Sequence, residues 1–237
     1  MKTDRFDAMR SAFRKRVTGL VILVTVAVSG CEDPLTVGYT DKRPSNITTY
    51  TEDRSFGTVW EALAEQREVR YPEYGFCLNE PASEEELGQV QRQVGQTLPD
   101  DVRALYLLAD GQSRGEQCLP LFGDGYWFLS LDEMASWWQM NLEVHQGDMS
   151  AEAMYGRQGA VYGYDWHPAW VPLASRERGD SLVIDFVPTP MGASGQIVRY
   201  RDDDEDRDHL AMSVTALLGA LERGLETGER ELQADDG

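Results

Sequence analysis

The stretch SLVIDFVPTPMGASGQIVRYR, residues 181–201, decides the fold. Two β-branched runs, Ser181–Val187 and Gln196–Tyr200, flank a segment of Pro, Gly and Ser. Val, Ile, Phe and Tyr fit a pleated, packed surface, and Pro-Gly-rich segments end strands, so the pair reads as antiparallel strands joined by a loop. WVPLAS (170–175) just upstream reads as another strand.

Outward from these strands the pattern turns helical. Ser130 and Glu133 have capping-box spacing, and Leu131, Met134, Trp138 and Leu142 follow at helical intervals, predicting a helix to about His145. Ser83 with Glu86 marks a second start, with Leu87, Val90 and Val94 as its buried stripe and Gly95 as its end. Pro99 opens a third helix with stripe Val102, Leu105, Tyr106 and Ala109, stopped at Gly111. Phe56, Val59, Trp60 and Leu63 predict a helix over 56–70. A last helix is expected from about Leu210 to Leu225 on Val214, Leu217, Leu218, Leu221 and Leu225. Leu119–Phe122 and Tyr126–Ser130 read as two strands about the Gly123-Asp124-Gly125 turn, and 146–165 as a loop or short strand. Helices followed by strands predict an α+β fold.

The N-terminus carries an address. Six basic residues in the first sixteen precede fourteen uncharged residues, Val17–Gly30, too short a run for a span of roughly 18 or more. Val28-Ser29-Gly30-Cys31 resembles a bacterial lipobox. Residues 1–30 are therefore expected to be a lipoprotein signal peptide, with Met1 or Met9 as start. Cys31 is expected to be the lipidated residue that anchors the chain to a membrane, with 31–55 as a flexible tether and 229–237 as an acidic tail. The expected location is the cell envelope, facing periplasm or exterior.

The chain has 41 acidic and 22 basic residues. The first thirty hold six basic and two acidic, which leaves 16 basic and 39 acidic after them, a formal net of −23. Such a charge repels nucleic acid and anionic headgroups and steers cationic partners inward. With Cys31 lipidated, Cys77 and Cys118 remain, either as a disulfide of an exported domain or as two buried thiols.

LPDDVRALYLLADGQ (98–112), LFGDGYWFLSLDEM (121–134), WVPLA (170–174), GDSLVIDFVPTP (179–190) and GQIV (195–198), in this order and spacing, resemble the SUKH superfamily. That family includes fungal cell-wall-assembly regulators and bacterial immunity proteins that neutralise toxins. The resemblance covers roughly 82–224. It implies an α+β domain over 56–228, with helices packed on one face of a twisted, mostly antiparallel sheet, and a binding role without enzymatic activity or cofactor. Most members look cytosolic; a lipobox departs from that and favours a toxin met in the envelope.

The histidines, His145, His167 and His209, lack metal-ligand spacing, so no metal site is expected. RDDDEDRD (201–208) lacks the glycine and distal glutamate of a calcium loop and reads as a solvated turn. In EMASWWQM, adjacent tryptophans point about 100° apart. With Trp138 in the core, Trp137 is either an exposed anchor or packed under the 146–165 loop. YDWHPAW places His167 in a binding loop or in plain packing. The expected partner contacts are Trp137, Tyr164, Asp165, Trp166, His167 and Asp180, facing a cognate, basic protein toxin. An envelope-assembly regulator is the alternative.

Overall fold

The computed structural model describes residues 49–145, 154–176, 179–202, 204 and 206–233, without the side chains of 154–158. The signal segment, Cys31, the first part of the tether and residues 234–237 lie outside the described residues. No helix among the described residues is long and apolar enough to cross a membrane.

In chain order the elements are α1 (Phe56–Arg70), α2 (Glu84–Val94), α3 (Asp100–Leu108), β1 (Trp127–Phe128), α4 (Leu131–Val144), β2 (Met154–Gln158), β3 (Val161–Tyr164), β4 (Trp170–Ser175), β5 (Ser181–Asp185), β6 (Gln196–Tyr200), β7 (Arg207–Ala211) and α5 (Val214–Thr227). Five strands form one antiparallel sheet in the order β1-β4-β5-β6-β7. The hairpin β2–β3 is a separate two-stranded sheet. The expected α+β fold with an antiparallel sheet is what the chain forms.

Strand alternation divides the apolar side chains between two cores. Leu173, Leu182, Ile184 and Ile197 join the large core with the helices. Trp170, Val183, Val198 and Tyr200 point the other way and form a second cluster with Val161 and Trp166. The second sheet face is thus covered as well, by the hairpin and the segment after it, and all five residues of β5 are buried. The predicted loop at 146–165 contributes this hairpin from Met154 onward.

The capping boxes form as read. The Ser83 N–H donates to Glu86 Oε2 at 2.7 Å and the Ser130 N–H to Glu133 Oε2 at 2.9 Å, each answered by a return bond to the serine Oγ. Gly95 closes α2 in the left-handed conformation. Gly111 has another role. Helix α3 already ends at Leu108, and Gly111, at φ 74°, lies where a Cβ would meet the Ser130 N at 2.4 Å. Only glycine lets these backbones pass so closely.

Leu119–Phe122 is not a strand, and the expected strand after the turn shrinks to Trp127–Phe128. The buried side chain of Gln112 takes the place of a ladder. Its Oε1 accepts from the N–H of Leu121 and of Phe128, both at 2.9 Å, and its Nε2 donates to the carbonyls of Phe76 (2.7 Å) and Leu119 (2.9 Å). Cys77 and Cys118 are joined by a disulfide across the same region.

The last helix begins at Val214, because Arg207–Ala211 pairs with β6 as an edge strand. Ser213 caps α5 through the Ala216 N–H (3.1 Å), and Asp101 of α3 adds a second acceptor for the Thr215 N–H (2.9 Å). α5 is buried on nearly all sides, packing on α1 and the sheet.

Residues on either side of the expected 56–228 domain also pack against the fold. Tyr50 pairs with Ala211, its N–H donating to the Leu210 carbonyl and its carbonyl accepting from the Met212 N–H. Glu52, nearly buried, binds Arg54 (3.0 and 2.9 Å) and Arg223 (2.6 Å) over Gly219. The Arg54 guanidinium holds the Glu52 carboxyl well below the usual carboxylate range. At the other end Leu232 is buried, and its N–H donates to the Tyr71 hydroxyl at 2.9 Å.

Candidate partner-binding surface

Helix α4 and residues 164–168 lie side by side and form one surface. Trp138 packs its ring on the large core and donates Nε1–H to the Pro168 carbonyl at 2.8 Å. Trp137, one helical step away, is half-buried at the boundary. Two turns later Val144 stands 43% exposed, a large apolar side chain in the same helix.

His145 follows the last residue of α4, and its backbone N–H donates to the Asn141 carbonyl. Its Nδ1 lies 2.7 Å from Asp165 Oδ2, and its Nε2 lies 3.5 Å from the Tyr200 hydroxyl. The bond from His145 holds the Asp165 carboxyl below the usual carboxylate range. That carboxylate is half exposed, so it is oriented from one side and open to a partner on the other.

Tyr164 is half-buried, with its ring 4.7 Å from that of His167 and 6.0 Å from that of Trp170. Burial pushes its hydroxyl pKa up. The His167 Nδ1 accepts from the Ala169 N–H at 3.0 Å, and burial pushes the imidazole pKa down, so the neutral ring is the fitted form. Arg207 fixes the backbone of this segment: Nε donates to the Tyr164 carbonyl (3.1 Å), Nη2 to that of Asp165 (3.3 Å). Its guanidinium also sits 4.6 Å above the Tyr200 ring, a cation–π contact.

Two of the expected contacts occupy other places. Trp166 is only 5% exposed and stands edge-on to Tyr200 and Trp170, with centroids 5.1 and 6.0 Å away. Such edge-to-face pairs add to the burial of the rings, so Trp166 is the bolt of the second core. Asp180, 6% exposed, lies in the turn before β5, where it holds Arg176 at 2.8 and 2.5 Å and accepts from the Asp202 N–H. Both are buried, Trp166 in the second core and Asp180 against Arg176. The surface itself is made of Trp137, Val144, Tyr164, Asp165 and the exposed edge of His167.

His145, Tyr200 and Arg207 escape a reading by local pattern. Their roles come from contacts 20 to 55 positions apart in the chain. In the acidic run 201–208, Asp208 accepts from Arg199 (2.9 and 2.6 Å) and Arg201 (2.5 Å). No group of three or more metal-binding side chains occurs among the described residues. The arrangement offers a carboxylate oriented by His145, in the same short segment as the Tyr164–His167 ring pair, which suits recognition of a cation.

Comparison with known proteins bears on the same blocks. Residues 81–220 match the sequence model of the SMI1 / KNR4 family (SUKH-1). Similar proteins include a "Glucan synthesis regulatory protein" of Neurospora crassa, 25% identical over 203 residues, covering 71% of this chain and 38% of that protein. The "Cell wall biosynthesis/cell cycle regulator smi1" of Schizosaccharomyces pombe is 28% identical over 75% of this chain and 37% of its own length. The "Cell wall assembly regulator SMI1" of Saccharomyces cerevisiae is 22% identical over 88% of this chain and 50% of its own. The chain thus spans half or less of the length of these relatives. The matched segment holds α2 to β7, the Gln112 hub and the covered sheet, and on that match the chain belongs to the SMI1 / KNR4 family (SUKH-1).

Proposed function

We propose that this protein is a non-catalytic, envelope-tethered binding domain that neutralises a cognate bacterial toxin by docking on it. The observation that carries the reading is the half-exposed carboxylate of Asp165, oriented by His145 at the end of α4 and next in the chain to the half-buried Tyr164. A surface of this kind fits a basic side chain of the partner, with the aromatic rings as anchors. The net charge of the chain, −19, adds long-range steering of a cationic protein. The lipobox-like Val28–Cys31 supports lipidation at Cys31 and a place on the envelope, where such a toxin is intercepted.

The test uses the full chain as bait against secreted and envelope proteins at low and high salt. The reading expects one near-stoichiometric partner with a toxin-like domain, held more weakly at high salt. A second reading, an envelope-assembly regulator, is favoured by the printed names of the fungal relatives. It expects wall-building enzymes in the same experiment and an envelope defect on deletion in the absence of any toxin.

A further inference from the structure

The groove between α2 and α3 is lined by Gly88, Arg92, Gln96, Thr97, Asp100 and Arg103, among others. It holds an arginine, Arg92, with no direct side-chain partner among the described residues. The other arginines whose side chains are described are engaged by carboxylates, carbonyls or rings, as Arg176 is by Asp180 and Arg199 by Asp208. Arg92 makes no ion pair or hydrogen bond among the described residues, in a chain where acidic residues outnumber basic ones by 41 to 22.

The neighbour one turn back explains how Arg92 stays free. A glutamate four residues before an arginine would pair with it on a helix. That position is Gly88, and a Cβ there would stand 3.3 Å from Arg92 Nη1, so the guanidinium lies back over the bare glycine. Glycine inside a helix costs about 0.5–1 kcal/mol relative to alanine. Nothing in the packing of α2 offsets that cost, since Gly88 borders the groove and leaves the core to Leu87, Val90 and Val94. At the far side Arg103 is held only by the exposed Glu84, at 2.6 Å, an exchangeable surface pair.

We propose that this groove binds a carboxylate presented by a peptide of a partner protein, with Arg92 as its clamp. A guanidinium fork matches a carboxylate with two parallel hydrogen bonds. The Gln96 amide and the Thr97 hydroxyl lie in the same groove as neutral donors. Asp100, which also lines the groove, and the carbonyl end of α2 bring negative potential, which tolerates a single charge and disfavours a doubly charged phosphate. The carboxylate belongs to an acidic side chain or to a chain terminus. This site uses none of the residues of the α4 surface, so it stands or fails separately from that reading.

The experiment is a titration of the folded full chain, read by backbone amide shifts of Gly88, Arg92 and Thr97. The probes are acetyl-Gly-Glu-Gly-amide, acetyl-Gly-Gly-Gly with a free terminus, acetyl-Gly-Gln-Gly-amide and inorganic phosphate. Saturable shifts with one or both carboxylate peptides are expected, and which of them binds identifies the source. Arg92→Gln should weaken that binding at least tenfold, Gly88→Glu should block it by supplying the charge internally, and Glu226→Gln should leave it unchanged. The proposal is overturned by absence of saturable shifts with both carboxylates, by an equal response to the glutamine peptide, by tighter binding of phosphate, or by an Arg92→Gln protein that binds as before.

Discussion

At the scale of single residues, two positions carry more than their size suggests. Gln112 closes four backbone groups in a buried turn. Gln112→Ala leaves those donors and acceptors without partners, and a loss of about 3 kcal/mol or more is expected in denaturant unfolding, against ~0.5 kcal/mol for exposed Gln93→Ala. Gly111→Ala combines a left-handed backbone with a contact against Ser130 and is expected to cost about 2 kcal/mol or more. Histidine sets the response to acid. His167 and His209 are both half-buried, and desolvation lowers their pKa values from 6.5. The unfolded chain therefore binds protons first as pH falls, and stability declines below about pH 6.5 until the folded pKa values are passed. Asp165 acts lower on the scale: its depressed pKa gives stability that is present above about pH 4 and lost beneath it. Melting temperature between pH 7.5 and 5.5 should fall, and His167→Asn, which keeps an acceptor for Ala169, should flatten the slope. An unchanged slope would contradict the assignment.

At the scale of elements, the second core is the weak-looking part that the structure makes strong. Trp166 fastens residues 164–168 against the sheet, so Trp166→Ala is expected to cost about 3–5 kcal/mol and to loosen the Tyr164–His167 surface. Amide exchange in β3 and in residues 164–168 should rise well before exchange in β5. The disulfide between Cys77 and Cys118 spans 41 positions, and the double serine variant should lose about 2–4 kcal/mol without changing the sheet. Both capping boxes, the stripes of α2 and α3 and the strands β4 to β6 were legible, because their signals lie within one turn or one strand. β7 was hidden, since Arg207 and Asp208 in a charged run disguise a strand whose buried charges are paired across the sheet. Leu119–Phe122 misled in the opposite direction: its apolar run is buried, but its partner is the Gln112 side chain rather than a strand.

At the scale of the molecule, a sheet buried on both faces divides the labour. One face builds the large core with α1 to α5, and the other mounts a small aromatic core that positions the α4 surface. The sequence pattern of β5, apolar at successive positions, already implies two covered faces, but which segment covers the second face depends on contacts over tens of residues. The same holds for the ends of the folded unit, where Tyr50, Glu52, Arg230 and Leu232 pack on α5 and α1 from stretches composed like linkers. Of the expected partner contacts, Trp137, Tyr164, Asp165 and His167 are partly exposed, Trp166 is buried in the second core, and Asp180 is buried against Arg176 in the turn before β5. The most direct measurement is the affinity of the captured partner for the full chain and for Trp137→Ala/Asp165→Ala, with melting temperature as a check on folding. At least a tenfold loss of affinity, with little change in melting temperature and a smaller salt dependence, is the predicted result. Unchanged affinity in a folded double variant would contradict the placement of the docking surface on α4 and residues 164–167.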